Sequence, residues 1–149
     1  MKAELNNPKE CEDACLGASY VIHAASPYTL KVDDPWRDLI NPAVDGAVNF
    51  VQAAHKTGVK RVVLTSSMAA VTENPRTGYT FTESDWNESS SATRNSYYFS
   101  KTAAEKKATE YATANGVDLV VINPFVIIGT PLNLTDNASA EIFERIMAG

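Results

Sequence analysis

The chain has 149 residues, 44% of them apolar and 21% charged, enough for one domain with a hydrophobic core. A net charge of −5 with no basic stripe argues against a nucleic-acid or anionic-membrane partner. No apolar run approaches the roughly 20 residues of a membrane span, and the opening Met1-Lys2-Ala3-Glu4-Leu5 lacks a signal-peptide core, so a cytoplasmic location is expected.

Cys11 and Cys15 are spaced for one face of a short helix. Two thiols without nearby histidines make a poor metal set, so buried free thiols and no metal are expected. "YVIHAA" (20–25) reads as a buried strand that runs into a loop at Ser26-Pro27. Asn41-Pro42 predicts a helix N-cap followed by proline at the first helical position. Val44, Ala47, Val48, Val51 and Ala54 recur at helical spacing, and Gly58 stands where a C-terminal cap belongs.

"KRVVLTSS" (60–67) predicts a second buried strand, and 68–95 is mostly loop. Residues 97–115 are helical in pattern, with Ala103, Ala104, Ala108 and Ala112 as strong formers, and Gly116 ends the helix. "VDLVVINP" (117–124) predicts a third strand stopped by Pro124, and 139–149 a last helix. Asn87, Asn133 and Asn137 begin Asn-x-Ser/Thr triplets that read as chance matches.

Strands separated by helices of this length imply an α/β fold, a parallel sheet with crossover helices. All three strands are apolar throughout, as in sheets covered on both faces. Ligands in such folds sit beyond the carboxyl ends of the strands, here "HAASP", "TSSMAA" and "NPFVIIG".

Tyr97 and Lys101 are four apart, so they share a helix face. An ammonium beside a phenol favours the phenolate and lowers a pKa ordinarily about 10. A tyrosine tuned in this way can pass a proton to a carbonyl or alcohol oxygen. Ser67, at the end of a central strand, could steady the same oxygen. With 6 tyrosines and 8 lysines, about 0.3 such pairs arise by chance, so the pair needs its context: a helix that follows a Thr-Ser-Ser strand end.

The stretches "YVIHAASP" (20–27), "NPAVDGAVNFVQAA" (41–54), "VKRVVLTSS" (59–67), "FTESDW" (81–86), "YYFSKTAAEK" (97–106) and "NPFVIIGTP" (123–131) carry a resemblance. The chain resembles the extended short-chain dehydrogenase/reductase (NAD-dependent epimerase/dehydratase) superfamily, in its dihydroflavonol-4-reductase and cinnamoyl-CoA reductase branch. The resemblance implies a Rossmann-type doubly wound parallel sheet and NADP or NAD as cofactor, with NADP favoured. It implies reduction of an aldehyde or ketone, a small-molecule carbonyl substrate, to an alcohol. By position, Ser67 would polarise the carbonyl, Tyr97 would donate the proton, and Lys101 would lower the tyrosine pKa and hold the nicotinamide ribose. Ala24, Ala25 and Ser26 match a loop along the cofactor, Pro124 and Ile127 match positions that back the nicotinamide, Glu4-Leu5 match an Asp-Leu pair near the adenine, with a longer acid here, and Ser139 matches a later cofactor contact. An asparagine that many relatives carry in the preceding helix is Ala43 here, with Asn41 two residues away. His23 reads as a strand residue.

The 7 glycines make no glycine-rich pyrophosphate turn. The resemblance starts at the family's third strand, near Ala3, so residues 1–149 read as a partial NAD(P)-binding Rossmann domain without the first two strands or most of the substrate region. Such a chain is expected to expose an apolar edge beside "YVIHAA", to be marginally stable and to bind dinucleotide poorly. Two other readings stay open: a nucleotide-sugar epimerase or dehydratase with the same site, and a non-catalytic fragment or binding module.

Overall fold

The computed structural model describes residues 2–28, 32–127, 129 and 146–148. The first helix, α1 (Pro8–Cys15), opens on Asn7, whose side-chain oxygen accepts from the N–H groups of Lys9 and Glu10 at 3.1 and 3.4 Å. Cys11 and Cys15 are free thiols, fully buried on one face of α1 against Ala53. Residues 2–4 form no strand. The chain turns there, and Leu5 lies so close to the next helix that a Cβ on Gly46 would come within 3.1 Å of its own Cβ.

β1 (Tyr20–His23) follows, and then α2 (Asn41–Thr57). Asn41 is not the N-cap of this helix. Residues Trp36–Ile40 form a wide π-type turn that runs into it, and Asn41 is already helical at φ −59°, ψ −48°. The capping is done upstream by Asp34, whose carboxylate accepts from the N–H groups of Trp36 and Arg37 at 3.0 and 3.1 Å. Pro42 has no N–H to donate to residue 38. The ladder widens just ahead of it, where the Asn41 N–H reaches back to the Trp36 carbonyl. The far end is as expected: Gly58, at φ +74°, lets the Val59 N–H close on Ala54 at 2.9 Å.

β2 (Arg61–Thr65), α3 (Ser96–Asn115) and β3 (Leu119–Ile122) complete the described elements. The sheet is parallel, in the order β1-β2-β3, with Ile22 opposite Val63 and Val63 opposite Val120. Both crossovers step the same way along the sheet. Parallel crossovers share one hand, so α2 and α3 land on the same face. There Ala43, Ala47, Val51 and Ala54 of α2 meet Ala104, Ala108 and Ala112 of α3 over Val62 and Leu64. Small side chains bring the helices close to the sheet and to each other.

The opposite face corrects the expectation of a sheet covered on both sides. Tyr20 is 67% exposed and Ile22 74%, and Val120 and Ile122 are also open. Covering that face needs a crossover that steps the other way, and among the described residues none does. Among those residues no helix is long and apolar enough to cross a membrane. The predicted last helix, 139–149, lies outside them apart from helical residues 146–148.

Candidate active site

Ser67 sits where β2 ends, in extended conformation at φ −161°, ψ 154°. The ladder between β2 and β3 continues past both strands: the Ser66 N–H donates to the Ile122 carbonyl at 2.9 Å, and the Met68 N–H to the Pro124 carbonyl at 3.0 Å. The Ser67 hydroxyl accepts from the Ala69 N–H at 3.2 Å and so caps a short 3₁₀ turn, Met68–Ala70. Asn87 buttresses that turn from the loop. Its backbone N–H donates to the Ala70 carbonyl at 2.8 Å and its side-chain amide to the Ala69 carbonyl at 2.9 Å. The buried Asn87 is thus a structural asparagine; Asn133 and Asn137 lie outside the described residues.

Tyr97 is the second residue of α3. The helix starts abruptly because Asn95 is left-handed, at φ 55°, ψ 53°. The Glu73 carboxylate holds that corner by accepting from the Asn95 amide at 2.7 Å and pairing with Arg94. The Tyr97 ring stands edge-on to Tyr28, with centroids 5.1 Å apart. Lys101 lies one turn on, with its Nζ 5.6 Å from the Tyr97 ring centroid.

The electrostatics differ from the expectation that Lys101 lowers the phenol's pKa. Burial pushes the Tyr97 phenol above its ordinary value, against a downward pull from hydrogen bonding with Ser67. Burial also lowers Lys101, to about 8. Both groups are partly out of water, and desolvation is the largest cause of both shifts. The phenol is therefore protonated at neutral pH.

Ser67, Tyr97 and Lys101 converge on one cavity of about 410 Å³, with Ala24, Ser26, Pro124 and Ile127 also on its walls. That volume is within the range of small-molecule sites. A second, small cavity of about 20 Å³ lies against the inner side of Lys101, lined among others by Ala25, Ser66, Ala43 and His23. Ser66 Oγ is buried with no hydrogen-bond partner among the described residues.

The NAD dependent epimerase/dehydratase family model matches residues 1–148. The chain belongs to that family. It is 45% identical to cinnamoyl-CoA reductase 2 of Arabidopsis thaliana over 141 residues, covering 92% of this chain and 40% of the relative. To anthocyanidin reductase of the same plant it is 37% identical, covering 93% of this chain and 43% of the relative. Among solved structures, yeast methylglyoxal/isovaleraldehyde reductase Gre2 complexed with NADPH superposes with a TM-score of 0.83 at 29% identity, covering 97% of this chain and 49% of that one. The chain thus spans less than half the length of these relatives.

With the family in view, the remaining predicted site residues can be placed. Glu4 and Leu5 do not line the large cavity. Leu5 lies against α2, where its carbonyl accepts from the Asn49 amide at 2.9 Å, and the Glu4 N–H donates to Glu10 at 2.7 Å. Ser139 lies outside the described residues. Ala43, not Asn41, faces the small cavity next to Lys101; Asn41 is exposed. His23 is buried and stacked on Phe50. Sequence reasoning missed Tyr28, Ser66, Glu105 and Asn123. Ser66 had a signal, as the neighbour of Ser67 at the strand end, and Glu105 shares the Tyr97–Lys101 face of α3. Tyr28 had none.

Proposed function

We propose that the chain is the proton-transfer part of an NAD(P)H-dependent reductase that converts an aldehyde or ketone to an alcohol. The observation that carries this reading is the convergence of Ser67, Tyr97 and Lys101 on one 410 Å³ cavity.

The residues present fit the nicotinamide riboside end of a dinucleotide. Lys101 is 7% exposed, and no ion pair includes it among the described residues. Ser66 Oγ is a buried hydroxyl without a partner among the described residues. Groups such as these suit the hydroxyls of a ribose, and the small side chains of Ala24 and Ser26 admit a flat ring. NADPH in the Gre2 structure supports NADP over NAD. When bound, the nicotinamide supplies the hydride that the carbonyl carbon takes up.

This chain's own residues do the rest. The Ser67 hydroxyl donates a hydrogen bond to the carbonyl oxygen and steadies its growing negative charge. The Tyr97 phenol, kept protonated by burial, gives its proton to that oxygen. The Lys101 ammonium, close to the ring, stabilises the phenolate that remains.

The test is turnover of NADPH with hydroxycinnamoyl-type thioesters, simple aldehydes and ketones, using the full protein. Loss of nicotinamide absorbance that depends on both the carbonyl and Tyr97 is the expected result. Turnover of a UDP-sugar with no net use of NADPH would overturn the reading in favour of an epimerase.

A further inference from the structure

The Asn123 side chain, just past the end of β3, donates to two acceptors on different elements. Its amide reaches the Ser67 carbonyl oxygen at 3.1 Å and Glu105 Oε2 at 2.8 Å. A primary amide has two N–H donors, so both are used here. Glu105 is 9% exposed and lies on α3 one turn beyond Lys101 and two beyond Tyr97. A buried carboxylate is costly unless it is hydrogen-bonded. Asn123 supplies such a bond.

The orientation of this amide has a physical cause. Both of its neighbours can only accept: a peptide carbonyl and a carboxylate. If the amide turned over, its oxygen would face acceptors and both bonds would become repulsions. Glu105 therefore fixes which way Asn123 points. Without Glu105 the amide loses half of that constraint and is free to turn away from Ser67.

The Ser67 carbonyl matters because it links this corner to α3. The N–H groups on either side, Ser66 and Met68, donate to the carbonyls of Ile122, at the end of β3, and Pro124, just past it, at 2.9 and 3.0 Å. The Ser67 carbonyl accepts twice, from the Ala70 N–H at 3.0 Å within its own turn and from the Asn123 amide at 3.1 Å, and the Asn123 bond is the one that leads on to Glu105. The serine is thus tied through one amide to the helix that carries Tyr97 and Lys101.

We propose that Glu105 is a positioning residue: by accepting from Asn123 it locks the Ser67 peptide and sets where the Ser67 hydroxyl stands relative to Tyr97. The catalytic meaning of this lock rests on the reductase reading above; the lock itself does not.

The experiment compares Glu105→Leu, Glu105→Gln and Asn123→Ala with the wild-type full protein. Its first readout is the carbonyl ¹³C shift of Ser67 by NMR, which needs neither cofactor nor turnover. Wild type and Glu105→Gln, whose side-chain oxygen still accepts, should share the shift of a carbonyl that accepts from both Ala70 and Asn123. Glu105→Leu and Asn123→Ala should both move to the shift of a carbonyl held by Ala70 alone. The second readout is kinetic. Glu105→Leu should lower kcat by roughly 10- to 100-fold with KM for the carbonyl little changed, as for a misplaced reacting group, and Glu105→Gln should restore most of it. An unchanged Ser67 shift in Glu105→Leu overturns the lock. A raised KM with kcat intact overturns positioning in favour of substrate binding. If wild type reduces no carbonyl, the reductase reading falls, and the Ser67 shift alone still decides the lock. Should Glu105→Leu not fold, Glu105→Ala, which likewise cannot accept from Asn123, gives the same decision.

Discussion

Lys101 stands over the face of the Tyr97 ring, its Nζ 5.6 Å from the centroid. Its burial lowers its pKa from 10.5 to about 8. Below pH 8 the folded and unfolded chains both hold the proton, and the folded state carries the full desolvation cost. Between 8 and 10.5 only the unfolded chain still binds it, so this group's contribution to stability rises with pH across that window. Lys101→Met removes the cost. The variant should be more stable than wild type at pH 7 by about 3 kcal/mol, with the gain gone above pH 10.5. Urea unfolding at the two pH values measures it, and equal stability at pH 7 would sink the idea. The same variant should lose reductase turnover, so stability and function oppose each other at this position.

Tyr97 and Tyr98 both border the large cavity, and the Ser67 side chain pulls the pKa of the Tyr97 phenol down against its burial. Tyr97→Phe should reduce kcat by roughly 10²- to 10⁴-fold, the usual span for a positioned acid. Its melting temperature should barely move, because the ring and its edge contact with Tyr28 remain. Tyr98→Phe should keep activity within about threefold, since it removes no proton donor from the reaction. Steady-state kinetics on the pair decides the matter, and an equal loss in both would reverse the assignment.

The parallel sheet, both crossover helices and their glycine ends were legible because apolar runs, helical spacing and Gly58 and Gly116 act locally. The start of α2 was not. Asn-Pro is compatible with the first turn of a helix, and only the carboxylate of Asp34, seven residues earlier, shows where the capping is done. The open sheet face could not be read either, because a run such as "YVIHAA" looks the same whether one face or two are covered. At the site, Ser67, Tyr97 and Lys101 line one cavity. The direction of the Tyr97 shift failed because a four-residue interval reports proximity and says nothing of burial. Asn123 looked like a strand stop beside Pro124. It donates its two hydrogen bonds to Ser67, just past β2, and to Glu105 of α3, both distant in sequence.

Asn95 turns the chain into α3 at φ 55°, two residues before Tyr97. A side chain in this region costs about 1–2 kcal/mol unless the residue is glycine or can bond locally, as asparagine does. Asn95→Gly should therefore keep most of the stability, and Asn95→Val should lose about 2 kcal/mol. Glu73→Ala, which frees both Asn95 and Arg94, should speed proteolysis within 71–95 more than it lowers the melting temperature. Denaturant midpoints and limited proteolysis report the two effects. A fully stable Asn95→Val would show that the corner is not strained.

His23 stacks on Phe50, with ring centroids 4.7 Å apart and planes 17° from parallel. Burial, and then the neighbouring Lys101 charge, lower its pKa from 6.5 to about 4. The imidazole is neutral at pH 7. Its contribution to stability is complete above 6.5 and is lost as pH falls towards 4, because over that range the unfolded chain binds a proton that the folded chain refuses. The loss attributable to His23 is about 3 kcal/mol. His23→Phe keeps an aromatic ring against Phe50 and has nothing to titrate. At pH 7 the variant and wild type should be close in stability. At pH 4.5 the variant should be clearly the more stable, although carboxylates lower both curves. Urea unfolding at the two pH values isolates the histidine as the difference between the curves, and parallel curves would mean that His23 is reached by water and protonates in place.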